Sequence, residues 1–144
     1  MDSRIVKLGQ GVEGEVFYIR RNNVRLVVKI GNAYTIRSEF QIHSKIYNAL
    51  KGSCKEHIVK PIVIDAGLSK FMNRYISMKT YESAYAMEYV HGVTLRAYLT
   101  TASEPQRRHI LNQTKFAFIC MWKLGYIHGD AHLGNILVEN LYIF

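Results

Sequence analysis

Glycines at positions 9, 11 and 14, followed by Val16, lie between two stretches that alternate in strand fashion, Ile5-Val6-Lys7-Leu8 and Glu15-Val16-Phe17-Tyr18-Ile19. Residues without a Cβ let backbone N–H groups close on an anion such as a phosphate. Two phosphate loops share this spacing. The dinucleotide-binding loop must open a helix, whereas the residues after Gly14 read as a strand, so a strand–loop–strand cover over nucleotide phosphates fits better. Taken alone, the pattern also suits a glycine-rich hairpin turn.

A third alternating stretch, Val24 to Ile30, follows a turn at Asn22-Asn23, which makes an antiparallel meander. Lys29 closes its apolar run Leu26-Val27-Val28. A lysine in a buried strand costs desolvation unless an anion meets it, so it either faces a phosphate or carboxylate or snorkels from a strand edge. Glu39, early in the next helix, is the candidate carboxylate. That helix is expected from about Ile36 to Leu50, with Phe40, His43, Tyr47 and Leu50 on one stripe and Gly52 as the stop. Strand character returns at Pro61–Ile64 and Ala84–Val90, so a mainly β amino-terminal part is expected to end near His91-Gly92.

Beyond Gly92 the spacing is helical. A short helix starts at Thr94 as N-cap, and a longer one runs from about Glu104 to Leu124, with Ile110, Thr114, Ala117, Phe118 and Met121 forming its buried face. Ser103 and Gln106 have the spacing of a capping box, and Gly125 suits the end. A polar loop, His128 to Asn135, then precedes two short apolar runs, Ile136–Val138 and Leu141–Phe144, separated by a turn at Glu139-Asn140.

Composition narrows the remaining classes. The longest apolar run, Phe116 to Trp122, is closed by Lys115 and Lys123 and is far short of the roughly 20 residues of a spanning helix. The first residues lack the apolar core and cleavage site of a secretory signal, so a cytoplasmic (intracellular) location and reduced Cys54 and Cys120 are expected. A formal net charge of +8 favours anionic partners. The basic residues are scattered rather than blocked, so a solvated basic surface is the plainer reading and nucleic acid has no specific support.

The loop His128-Gly129-Asp130-Ala131-His132-Leu133-Gly134-Asn135 carries the richest chemistry. Asp130 and Asn135, five apart, put a proton acceptor beside a neutral metal ligand, which is what phosphoryl transfer asks for. His128, Asp130 and His132 as zinc ligands are the alternative.

Taken in order, these motifs resemble the protein-kinase-like superfamily from Leu8 to the last residue. The glycine loop matches G-x-G-x-x-G-x-V, Val27-Val28-Lys29 resembles the third-strand lysine motif, and Glu39 stands where the helix-C glutamate belongs. Met87-Glu88-Tyr89-Val90 looks like the hinge, and His128-x-Asp130 with Asn135 like the catalytic loop. The resemblance implies an α+β fold of the protein-kinase-like type. An antiparallel amino lobe with helix C would occupy residues 1–90, and the first helices and catalytic loop of a helical second lobe residues 91–144. It implies ATP and Mg2+ as cofactors. Gly9, Gln10, Gly11, Val12, Glu13 and Gly14 would cover the phosphates. Leu8, Val16, Val27 and Leu137 would sandwich adenine, the backbones of Glu88 and Val90 would bond its edge, and Met87 would be the gatekeeper. Lys29 would hold the α- and β-phosphates and pair with Glu39, Asp130 would be the catalytic base, and Asn135 would bind magnesium.

Two departures stand out. Gly129 replaces the arginine that many regulated kinases use to grip an activation-loop phosphate, and His132 replaces the usual lysine, as in atypical kinases and aminoglycoside- or choline-type phosphotransferases. The sequence ends with Leu141–Phe144, truncated before the Asp-Phe-Gly that the resemblance implies would follow, so weak or absent transfer to a protein Ser/Thr hydroxyl is expected. A nucleotide-binding pseudokinase that engages a partner kinase or protein substrate is the alternative, and a small-molecule phosphotransferase another. Phe116, Phe118, Met121 and Trp122 are expected to leave apolar surface exposed, inviting self-association.

Overall fold

A computed structural model of the chain describes residues 3–11, 14–126, 136–138 and 142–143. They form two compact units, residues 1–44 with 60–89, and residues 45–59 with 90–144. The second unit thus takes one segment from within the first ninety residues. The fold is α+β.

The first unit is built on five strands, β1 (Arg4–Gly11), β2 (Gly14–Arg21), β3 (Val24–Asn32), β4 (Pro61–Ile62) and β5 (Glu82–Glu88), in the order β1-β2-β3-β5-β4. Every pairing is antiparallel. Asn22 and Asn23 both have positive φ, at 50° and 66°, which gives the β2–β3 hairpin the tight turn whose twist matches its strands. Helix α1 (Ala33–Ala49) starts three residues before the expected Ile36, because the Asn32 side chain accepts the Tyr34 N–H at 3.0 Å. Of its apolar stripe Leu50 is buried, Phe40, His43 and Tyr47 are half-buried, and Ile36 and Ile46 complete the inward face.

Alternation puts Ile19, Leu26, Val28, Ile30 and Ala86 on one face of this sheet. They pack against α2 (Ala66–Tyr75) through Leu68 and Met72, with Ile76 just beyond its end. The mainly β expectation for this region missed α2. Its start is set by Asp65, whose carboxylate accepts the Leu68 N–H at 2.7 Å, and the four-residue spacing of Leu68 and Met72 supplies the buried stripe. Strand β4 accordingly stops at Ile62 rather than Ile64.

In the second unit a 3-10 turn (Gly52–His57), α3 (Leu95–Thr101) and α4 (Glu104–Lys123) accompany a small antiparallel sheet. Its strands are β6 (Val93–Thr94), β7 (Ile136–Val138) and β8 (Tyr142–Ile143), in that order. Thr94 caps α3 by accepting the Ala97 N–H at 3.2 Å. Ser103 and Gln106 form the reciprocal capping box of α4, with Gln106 Oε1 accepting the Ser103 N–H at 2.8 Å. The buried face of α4 is Ile110, Thr114, Ala117, Cys120 and Met121, around a core that includes Leu95, Leu50, Ile58 and Ile136. The Thr114 hydroxyl is satisfied within its own helix by donating to the Ile110 carbonyl at 2.8 Å.

Two expectations fail here. Cys54 and Cys120 are joined in a disulfide, with their Cα atoms 5.7 Å apart, instead of being free thiols. Sequence offers only two isolated cysteines 66 residues apart, and nothing local signals that the turn after α1 meets the buried face of α4. Met121 is buried and Phe118 packs against the core, as their place on the buried face of α4 implies, so of the four residues expected to leave apolar surface exposed only Phe116 and Trp122 do so. No helix among the described residues is long and apolar enough to cross a membrane.

Candidate functional site

The glycine-rich segment is a hairpin. Gly9 pairs with Val16, Gln10 with Glu15 and Gly11 with Gly14, while a register shift between Lys7 and Gly9 makes Leu8 a bulge that is largely exposed. Gly9 and Gly14 differ in need. A Cβ at Gly9 would meet open space, whereas one at Gly14 would collide with the Ile30 carbonyl oxygen, and Gly14 has φ of 138°. Gly14 is therefore required by the approach of β2 to β3, which holds the hairpin against the lysine strand. Lys7 ties the hairpin together, reaching Gln10 Oε1 at 2.9 Å and the Glu15 carboxylate at 3.3 Å. Val12 and Glu13 lie outside the described residues.

Strand register places the next residues. Val16, Lys29 and Tyr85 are directly opposed across β2, β3 and β5, and Tyr18, Val27 and Met87 form the adjacent row. Both rows share the face opposite the α2-covered core. From α1, Glu39 reaches this face and receives Lys29 Nζ at 3.0 Å on one carboxylate oxygen and 2.8 Å on the other. The lysine is thus a partly buried cation fixed by an anion, not one snorkelling from an edge. Its side chain is 21% exposed and that of Glu39 30%, so water still reaches the pair.

Sequence reasoning overlooked Tyr85. It is buried beside this pair, with Phe40 and His43 of α1 against its ring at 5.9 and 6.1 Å between centroids. Burial first, and the nearby Glu39 charge second, raise its pKa above the ordinary tyrosine range. The phenol therefore stays neutral and packs α1 onto the sheet at the level of Lys29. The available signal was its position two residues before Met87, on the same side of the strand.

At the carboxyl end of β5, Met87 is buried and Glu88 is exposed. The Glu88 N–H donates to the Lys60 carbonyl at 2.9 Å, and the Tyr89 N–H to the Arg25 carbonyl at 3.3 Å. Tyr89 also packs edge-on to Tyr18, with centroids 4.9 Å apart. Val90 and Leu137 belong to the second unit, where Leu137 of β7 pairs with Thr94 and Tyr142.

The structure therefore brings Lys29, Glu39, Val16, Val27 and Met87 to one face of the first unit. His128, Asp130, His132 and Asn135 lie outside the described residues, so both the catalytic-loop and the zinc readings fall there. Among the described residues no group of three His, Cys, Asp or Glu side chains is arranged to hold a metal ion.

Comparison with known proteins adds an independent line. The chain is 30% identical over 141 residues to the serine/threonine-protein kinase ppk35 of Schizosaccharomyces pombe, an alignment that takes in 94% of the chain. It spans about a fifth (21%) of that relative's length. No protein-family model matches. The kinase domain of PknI from M. tuberculosis superposes with a TM-score of 0.62 at 15% identity, covering 98% of this chain and 56% of that one. A five-stranded antiparallel sheet, a lysine on its third strand bound by a helix glutamate, sequence similarity to a kinase along nearly the whole chain and superposition on a kinase domain agree: the chain has a protein-kinase-like fold.

Proposed function

We propose that the chain binds ATP with Mg2+ and is a weak catalyst of transfer of its terminal phosphoryl group to a protein Ser/Thr hydroxyl. The observation that carries this reading is the two-oxygen contact between Lys29 and Glu39 on a sheet face that also presents Val16, Val27 and Met87. A positioned ammonium beside an apolar shelf has the chemistry for phosphates joined to a planar base. The serine/threonine-protein kinase relative supports a protein hydroxyl as acceptor.

Each residue then has a task. Glu39 holds Lys29 against the sheet, and Lys29 binds the α- and β-phosphate oxygens. The hairpin from Gly9 to Gly14 lies over the phosphates. Adenine rests against Val16 and Val27 and is bounded by the buried Met87. Because the Glu88 N–H is engaged by Lys60, the contact of Glu88 with the base runs through its carbonyl. Asp130 accepts the hydroxyl proton and Asn135 is the magnesium ligand, both by resemblance. Magnesium, when bound, supplies charge neutralisation on the phosphate oxygens.

Radiolabelled phosphate transfer from ATP to a generic protein substrate tests this, run alongside nucleotide-dependent thermal shift. Transfer abolished by Lys29→Ala and by Asp130→Ala is the expected result. A thermal shift that Lys29→Ala removes, with no transfer by the parent chain, would leave a nucleotide-binding protein without catalysis. No shift with ATP at all would defeat the nucleotide reading.

A further inference from the structure

A row of three arginines crosses the first unit's sheet. Arg4 of β1 opposes Arg20 of β2, and Arg20 opposes Arg25 of β3. Directly opposed residues share a face and stand about 4.5–5.5 Å apart at Cβ, a placement in which like charges destabilise a sheet. Arg4 and Arg25 are exposed and Arg20 is half-buried. Among the described residues no carboxylate forms an ion pair with any of them; the pairs present are Lys7–Glu15, Lys29–Glu39 and Glu104–Arg108. The row lies on the same face as Lys29, one row beyond Tyr18–Val27–Met87, and so stands apart from the proposed phosphate contacts.

We propose that Arg4, Arg20 and Arg25 dock an acidic helix of a protein partner. Guanidinium forks bind carboxylates bidentately, so the row favours anions that come singly and at its own spacing. On a helix, side chains at i, i+4 and i+8 recur about 5–6 Å apart, close to the spacing of the arginines. An extended peptide repeats its same-side residues about 6.6–6.8 Å apart and falls out of step with the row. The chain's charge of +8 draws such a partner in.

The test uses the full 144-residue chain and a fluorescein-labelled, alanine-rich helical peptide with glutamates at i, i+4 and i+8, followed by anisotropy at low salt. A control peptide of identical composition scatters the three glutamates around the helix. The striped peptide is expected to bind about tenfold more tightly than the control, to lose about tenfold with Arg20→Glu, and to weaken as salt is added. Arg20→Gln, which removes the charge without reversing it, gives an intermediate loss. Equal binding of the two peptides overturns the proposal, as does unchanged affinity in both Arg20 variants. Tighter binding of a duplex oligonucleotide through the same three arginines also overturns it, in favour of nucleic acid.

Discussion

The two units of this molecule are held together by different means. The first is a hydrogen-bonded register: five strands pair continuously, and Val16, Val27, Lys29 and Met87 inherit their positions from the strands that carry them, with Glu39 brought in by α1. The second rests on helix packing around Leu95, Ile110 and Met121, on strands of two or three residues, and on the Cys54–Cys120 bond. Sheet register specifies neighbours two residues at a time, so a local motif there implies a three-dimensional site. Helix packing and a long-range covalent link join residues that no local pattern relates.

If this contrast is right, the first unit should be most sensitive where backbones approach. Gly14→Ala adds a Cβ against the Ile30 carbonyl and forces a non-glycine residue to φ of 138°. Strain and overpacking together should cost about 4 kcal/mol. Gly9→Ala, with open space at its Cβ, should cost under about 1 kcal/mol. Urea unfolding of both variants checks this, and similar losses would show that the hairpin does not depend on its close approach to β3.

The second unit should respond to loss of its covalent link. Closing a loop of 66 residues stabilises by about 4 kcal/mol in the chain-entropy limit, and measured effects of disulfides often fall below that limit, so reduction or Cys54→Ser should cost about 2–4 kcal/mol. Hydrogen exchange should show the loss in residues 45–59 and 104–123, with β2, β3 and β5 little changed. Equal loosening of the sheet would erase the distinction between the units.

A smaller effect is expected at the cap of the helix that sequence reading missed. Asp65→Ala removes the acceptor of the Leu68 N–H and should cost about 1 kcal/mol, read in the same denaturation experiment. The Ser103→Ala change in the second unit should cost a similar amount, since capping is local and indifferent to how a unit is built.

The smallest effect is titration of Tyr85. Its pKa is raised in the folded state by burial and by Glu39, so folding favours the protonated phenol. That contribution is complete below the unfolded tyrosine pKa and disappears as pH rises through the folded value. Melting temperature should therefore fall more steeply above about pH 10 in the parent chain than in Tyr85→Phe. Parallel curves for the two proteins would mean that Tyr85 is not held neutral beside Glu39.

Legibility followed the same division. The meander, the Asn22-Asn23 turn, the strand position of Lys29 and its pairing with Glu39 could be read because period-two alternation and an unaccompanied lysine in an apolar run are local signals. The Ser103–Gln106 capping box and the Thr94 cap were readable for the same reason. Helix α2 was not, since Asp65 and the Leu68–Met72 spacing make a short, weak pattern between two strands. The expected exposed patch wrongly took in Met121 and Phe118, already read on the buried face, because the packing around α4 depends on the segment after α1, which sequence distance hides. The disulfide escaped for that reason too.

The central claim, that Lys29 held by Glu39 is the phosphate-binding cation, is tested most directly by calorimetric titration of ATP with Mg2+ into the parent chain, Lys29→Ala and Glu39→Gln. The account predicts measurable binding by the parent, loss of at least about tenfold in Lys29→Ala and a smaller loss in Glu39→Gln, with all three folded by circular dichroism. Equal ATP affinity in the parent and Lys29→Ala would contradict it.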